Sequence, residues 1–297
     1  MKLVTFVRKP SADQHLGVVL DDAVFDLTAT GKPEFESMLS LIRAGAVDAA
    51  KALAEAARGA GRGGPGLVPL EDVTLLAPIP RPAKNIFCVG RNYIDHVTEG
   101  YKARGLDLKL PEFPQFFSKP PTTVIATGDT IPLHEGITNL LDYEIELAIV
   151  IGRDGRDIPA ADWRKYVFGY TVLNDITGRD LQRRHDQWFK GKGLDGSCPI
   201  GPCIVTDDAI ADPQKLDLWL EVNGERRQAA NTSQMIFDLP RIIEDLSRGM
   251  TLEAGDIIAT GTPSGVGYAM TPPHPLQRGD LVTCHIEGIG TLQNRIG

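Results

Sequence analysis

The stretch Leu141-Asp142-Tyr143-Glu144-Ile145-Glu146-Leu147-Ala148-Ile149-Val150-Ile151 decides how the rest of the chain is read. With a period of two, Tyr143, Ile145, Leu147, Ile149 and Ile151 form one apolar face of a β-strand. Asp142, Glu144 and Glu146 share the other face with Ala148 and Val150. Neighbouring carboxylates on one strand face stand roughly 7 Å apart and repel one another. Ala148 and Val150 carry that face into a core, where the repulsion needs an answer. A hard divalent cation supplies one, because Mg²⁺, Mn²⁺ and Ca²⁺ prefer carboxylate oxygens. An isolated E-x-E is more often the wet side of an edge strand, so the segment takes its meaning from its company.

That company begins at Tyr170-Thr171-Val172-Leu173-Asn174-Asp175-Ile176-Thr177-Gly178-Arg179-Asp180, an apolar strand ending in a polar cluster. Asp175 falls where strand gives way to loop and can complete an all-oxygen site with Glu144 and Glu146, leaving positions for water or substrate. Arg179 and Gln182 carry donors suited to a substrate carboxylate. A turn or helix cap is the plain alternative for Asn174-Asp175.

Further candidate strands are Asn85–Val89, Leu216–Val222, Asp256–Thr260 and Leu281–Glu287. One helix shows Leu239, Ile242, Ile243 and Leu246 at helical spacing, with Asp238 to cap its start and Gly249 its end. Before these lie a meander (Leu3 to Val7, Gly17 to Leu20, Ala23 to Leu27) and a helical stretch. That stretch is opened by Pro33 and resumes from Val47 to Ala57 after Gly45. Gly59 to Gly66 has loop chemistry, and Pro78, Pro80 and Pro82 punctuate the junction beyond it. The expectation is a mixed α/β, predominantly β chain. Residues 1–75 form a small N-terminal α+β domain, and residues 76–297 form a β-sandwich or roll. Strands and helices do not alternate, which disfavours a doubly wound sheet.

The 297 residues are 42% hydrophobic and 24% charged, an ordinary globular composition, with net charge −8. Nucleic acid and anionic membrane both need a basic patch, so neither is an expected partner. No run of 18 apolar residues spans a bilayer, and Met1–Arg8 reads as a strand, not a signal peptide. A soluble cytoplasmic protein is expected. Cys88, Cys198, Cys203 and Cys284 show no C-x-x-C spacing and are expected to be reduced and buried. Gly261-Thr262-Pro263-Ser264-Gly265-Val266-Gly267 matches neither a dinucleotide nor a P-loop fingerprint, and Ser264 sits in no nucleophile elbow. His134 and His185 lack zinc spacing and read as polar surface residues.

Three further segments give the pattern a family. Gly90-Arg91-Asn92-Tyr93-Ile94-Asp95-His96-Val97-Thr98-Glu99, Phe117-Ser118-Lys119-Pro120 and Gly261 to Gly267, in that order around D-Y-E-x-E and N-D-x-T-x-R-D, resemble the fumarylacetoacetate hydrolase (FAH) family. The resemblance implies an FAH-type β-roll catalytic domain, a homodimer, and one Mg²⁺ or Mn²⁺ per subunit held by Glu144, Glu146 and Asp175. It implies a water-activating pair, His96 and Glu99. Arg91, Lys119, Arg179, Gln182 and Lys192 would line the substrate site, and Thr262 would meet a substrate carboxylate. The chain reads Gly178 and Gly193-Leu194-Asp195-Gly196 where many bacterial relatives carry A and S-F-D-T, and these glycines are expected beside the pocket.

The chemistry follows from the residues. A 2-oxo acid offers a carboxylate and a keto oxygen as a chelate, and hydroxide attack on the far carbonyl of an acylpyruvate expels the enolate of pyruvate. Lys192 is the candidate second stabiliser of that charge. His96, three residues from Glu99, shares a helix face with it and suits general-base work near neutral pH. Acylpyruvate hydrolysis is therefore the leading expectation for this small anionic 2-oxo acid substrate. Oxaloacetate decarboxylase, which makes the same enolate without hydroxide, is the alternative. A non-catalytic protein that binds a 2-oxo acid or a protein partner is the alternative of another class.

Overall fold

Every residue of the decisive strand, Ile145–Ile151, is buried. In the computed structural model, which describes residues 1–59, 64–103 and 105–297, this strand lies inside a sheet. Val167–Asn174 runs antiparallel on one side, from Ile145↔Asn174 to Ile149↔Tyr170, and Ile257–Ala259 runs antiparallel on the other. The edge-strand reading of the acidic face is thereby excluded. Residues 60–63, part of the expected Gly59 to Gly66 loop, lie outside the described residues.

Among the described residues the main sheet has twelve strands. Its path runs Leu67–Pro69, Ala23–Asp26, Gln14–Leu20, Lys2–Arg8, Cys198–Thr206, Val167–Asn174, Ile145–Ile151, Ile257–Ala259, Ile86–Gly90, Gln115–Lys119. The first strand joins the later ones directly, through Lys2↔Val205 and Leu3↔Ile204. A five-stranded sheet (Glu225–Asn231, Asp217–Val222, Leu281–Ile286, Gly290–Ile296, Thr130–Ile131) forms a second layer.

The two faces of Ile145–Ile151 enter two different cores. Ile145, Leu147, Ile149 and Ile151 share a core with Leu218, Leu220 and Ile286 of the second sheet and with Leu239, Ile242 and Ile243 of a helix. Ala148 and Val150 join Leu3, Leu16, Phe35 and Leu41 of the N-terminal segment. Each buried Ile or Leu contributes about 1.5–3 kcal/mol. A one-residue slip would move four of them out and drive Glu144 and Glu146 into the inter-sheet core, so packing pins the acids to their face.

The helix Leu239–Ser247 starts at Asp238, whose carboxylate accepts from the Arg241 N–H at 2.9 Å, and Gly249 follows its end with φ +73°. The N-terminal helical stretch is broken more finely than expected. Pro33–Phe35 is a 3₁₀ turn, and Ser37 restarts the chain as Met38–Arg43 by accepting from the Ser40 N–H. The strand Cys198–Thr206 is absent from the candidate strands, and it carries Pro199, Gly201 and Pro202, residue types that strands disfavour. Its ladder with Val167–Asn174 shifts between Tyr170 and Val172, where Pro202 has no N–H to offer. The four cysteines are free and buried, and burial pushes the Cys198 thiol up to about 12, so none is poised as a nucleophile. No helix among the described residues is long and apolar enough to cross a membrane.

Candidate metal centre

Glu144 lies just before the buried strand, Glu146 is its second residue, and Asp175 follows the end of the neighbouring strand. The Asp175 N–H donates to the Glu144 carbonyl at 2.8 Å, which ties the two ends together. Ligand oxygens of Glu144, Glu146 and Asp175 lie within 4.8 Å of one another, and all three residues are buried. Asp142, placed on the same face by period-two counting, does not join them. It belongs to a separate two-residue strand, Leu141–Asp142, and its carboxylate receives Arg179 Nε at 2.9 Å and the Gly267 N–H at 2.8 Å.

Buried cations surround two of the three acids. Lys192 Nζ bridges Glu144 Oε2 at 2.7 Å and Asp175 Oδ2 at 2.6 Å. Arg179 Nη2 meets Glu144 Oε1 at 2.7 Å, and Lys119 Nζ meets Asp175 Oδ1 at 2.8 Å. Burial alone would raise the Glu144 carboxyl, but Lys192 and then Arg179 outweigh it and hold it at about 2. Lys192 is held charged in spite of its burial by Asp175 and Glu144. Glu146 goes the other way. Burial, then Asp175 and Glu144, push its pKa well above the carboxylate range. Its carboxylate accepts the Gly261 N–H at 2.7 Å, and no Lys or Arg among the described residues forms an ion pair with it.

This donor set fits a hard divalent cation. Three buried carboxylates converge, and one of them lacks a side-chain cation of its own. Four acids (Asp142, Glu144, Glu146, Asp175) face three cations (Lys119, Arg179, Lys192), a net charge of −1 when all are ionised. A divalent ion turns this to +1, which suits an anionic ligand.

Glu144 and Glu146 open onto a cavity of about 330 Å³, within the usual range for small-molecule sites, and Asp175 lies behind them. Glu144, Glu146, Lys192, Arg179, Gln182 and Thr262 line it, as do Arg91 and His96. On the helix Ile94–Lys102, His96 Nδ1 hydrogen-bonds Glu99 Oε1 at 2.8 Å. Glu99 Oε2 in turn accepts the Gly265 N–H at 2.8 Å. The Thr262 hydroxyl accepts from Gln228 Nε2 at 2.8 Å, which leaves its own proton for a ligand.

Two expectations change on this geometry. Lys119 is fully buried behind Asp175, donates also to the Ile176 carbonyl and Ser197, and is absent from the cavity wall. It positions the Asp175 carboxylate where substrate contact was expected. Gly193 and Gly196 pack against Pro120 and Pro132, and neither lines the cavity. His185 is exposed as expected, yet it stands on the cavity rim.

Sequence reasoning also missed residues. Gln228 orients Thr262, and Asn92 is a buried clamp that donates to the Phe237 and Thr260 carbonyls at 3.0 and 2.8 Å. Trp188 and Tyr268 line the cavity, and an aromatic among the charges of Arg183-Arg184-His185-Asp186 was the available signal for the first. Gly265 holds φ +105°, and a Cβ there would sit 1.9 Å from the Arg227 carbonyl oxygen. Gly265→Ala is therefore expected to cost about 2 kcal/mol or more and to release Glu99, read as a lowered urea midpoint together with lost activity.

The family model described as "Fumarylacetoacetate (FAA) hydrolase C-terminal" matches residues 85–297. The chain belongs to the fumarylacetoacetate hydrolase family. Over 292 residues, 95% of this chain and 96% of the relative, it is 48% identical to oxaloacetate tautomerase YisK of Bacillus subtilis. The fumarylacetoacetate hydrolase EaFAH of Exiguobacterium antarcticum superposes with TM-score 0.81 and 41% identity, covering 100% of this chain and 99% of that one. The maleylpyruvate hydrolase of Sphingobium sp. SYK-6, solved with manganese(II) and pyruvate, superposes with TM-score 0.76 and 34% identity over 100% and 98% of the two chains. The FAH-type fold is thus that of the solved relatives. The protein is an enzyme of a metal-dependent FAH family.

Proposed function

We propose that this FAH-family enzyme interconverts the keto and enol forms of a small 2-oxo acid of the oxaloacetate class, using Mg²⁺ or Mn²⁺. The carrying observation is the placement of His96, braced by Glu99, on the same cavity as Glu144, Glu146 and Lys192. The 48% identity to an oxaloacetate tautomerase supports it.

Glu144, Glu146 and Asp175 would hold the divalent cation, which when bound would supply Lewis-acid stabilisation of developing enolate charge. The protein's own groups do the rest. Nδ1 of His96 is engaged by Glu99, so Nε2 is the nitrogen left to take a proton from C3. The C–H electron pair becomes the C2–C3 double bond while the keto π pair moves onto oxygen, beside the buried Lys192 ammonium. Return of the proton to that oxygen completes the enol. Thr262 holds the C1 carboxylate, with Arg179 and Gln182 lining the cavity beside it.

Hydrolysis of an acylpyruvate, foremost in the sequence reading, is the second reading. Its support is the likeness to a maleylpyruvate hydrolase bearing manganese and pyruvate. It uses His96 on water instead of carbon. A homodimer and a cytoplasmic location belong to the same reading, as the resemblance and composition imply.

Freshly dissolved enol oxaloacetate separates the reactions when ultraviolet loss of enol and formation of pyruvate are followed together, with an acylpyruvate panel in parallel. Fast enol loss without pyruvate supports the tautomerase. Pyruvate from oxaloacetate would replace it with a decarboxylase, and pyruvate from an acylpyruvate with a hydrolase. Ligand binding without any turnover would make the protein non-catalytic. His96→Ala is expected to lower tautomerisation by about 10²–10⁴-fold while leaving any decarboxylation unchanged. Enol loss at the wild-type rate would remove His96 as the base.

A further inference from the structure

The inner end of the cavity has little positive charge to spare. Arg179 is held by Asp142 and Glu144, Lys192 by Glu144 and Asp175, and Lys119 by Asp175. The outer wall differs. Arg91, Arg183 and His185 line it, with Asp186 the acid there. For a chain of net charge −8, this is a local excess of cations.

Arg91 is the best placed of them. Its guanidinium carbon lies 5.4 Å from the ring centre of Trp188 and 5.8 Å from that of Tyr101. Among the described residues no carboxylate pairs with it, whereas every inner cation has one. Its backbone is held in the left-handed region, φ +56°, a conformation that costs free energy in a non-glycine residue and concentrates at ligand sites. Asn92 next to it is the buried clamp described above, so the backbone is fixed where the side chain begins. Arg183, by contrast, is exposed and screened by water.

Trp188 explains how the guanidinium is aimed. Its ring lies against the backbone of Gly90, where a Cβ would come within 2.2 Å of it. It also meets Phe117 edge-on at 5.5 Å, and Phe117 in turn faces Lys192 Nζ at 5.1 Å. An aromatic wall therefore runs from the metal carboxylates to Arg91. A guanidinium lying on a ring keeps its N–H edge available for a carboxylate, because the ring engages its face.

We propose that Arg91, seated on Trp188, is the subsite for a second carboxylate, so that the enzyme selects 2-oxo dicarboxylates over 2-oxo acids with an uncharged tail. This rests on the reading of the site as one that enolises 2-oxo acids. Arg91 contacts the tail. Trp188 is a positioning residue.

The test uses Mg²⁺-loaded full-length enzyme and two probes. Oxaloacetate carries both carboxylates, and oxalate reports only the chelating end. Arg91→Gln is expected to raise KM for oxaloacetate tenfold or more with kcat little changed. The oxalate inhibition constant should stay within twofold, which also shows that the variant is folded. Arg91→Lys should recover part of the loss, and Trp188→Leu should mimic Arg91→Gln where Trp188→Phe does not. The subsite is overturned if oxaloacetate and oxalate weaken together, or if neither moves. If wild-type enzyme binds oxalate but leaves oxaloacetate unchanged, the functional reading falls by itself. Displacement of oxalate by oxaloacetate, compared between wild type and Arg91→Gln, then still decides the subsite.

Discussion

Glutamine in place of Glu146 is expected to lower kcat/KM by on the order of 10³-fold while leaving the metal-free protein folded and at least as stable. The amide keeps the volume of the acid, and its oxygen can still accept the Gly261 N–H that binds Glu146 at 2.7 Å. What disappears is the negative charge. In the metal-free protein that charge is a burden, since burial, Asp175 and Glu144 all disfavour it. With a cation present it becomes the ligand that Lys192 and Arg179 do not already hold. Thermal denaturation with and without Mn²⁺ reads both effects. Metal at 100 times its dissociation constant should stabilise wild type by about 2.7 kcal/mol, and Glu146→Gln much less at the same concentration. A variant with full activity and the full Mn²⁺ shift would disprove the three-carboxylate centre.

Methionine in place of Lys192 should give the opposite signature. Lys192 is buried between Glu144 and Asp175, and removing one side of a buried ion pair costs about 3–5 kcal/mol. Methionine restores the packing volume and nothing of the charge. The urea midpoint of metal-free protein should therefore fall sharply. Mn²⁺ should recover much of that loss by engaging the same carboxylates, yet turnover should remain down by about 10²–10³-fold, because the ammonium that meets the developing oxyanion is gone. Equal stability of Lys192→Met and wild type without metal would show that other groups balance the acids.

Both variants act on a site whose acids are legible in the sequence. Glu144 and Glu146 were legible because period-two alternation continues into Ala148 and Val150, which no wet edge strand needs. Asp175 was legible because it ends an equally apolar run. The same counting misplaced Asp142, since alternation holds only within one strand and the regular strand begins at Ile145. Lys119 was assigned to substrate because spacing reveals that a cation is near a site, and only burial reveals which side of the acids it occupies. Cys198–Thr206 was hidden by its prolines, whose missing N–H groups a sheet tolerates where the ladder shifts. Gln228 and Trp188 act through contacts with residues 34 and 98 positions away, Thr262 and Gly90, and no local pattern records such pairings.

The pairing of Lys2–Arg8 with Cys198–Thr206 has a consequence for how the chain avoids self-association. Without that first strand, the Ile204–Thr206 end of Cys198–Thr206 would present bare amides and carbonyls, beside the apolar side chain of Ile204. An open, apolar edge of this kind recruits strands from other molecules. The opening residues therefore act as a guard on the sheet, and a protein trimmed to its metal-binding portion would be prone to aggregate even with every ligand of the centre in place.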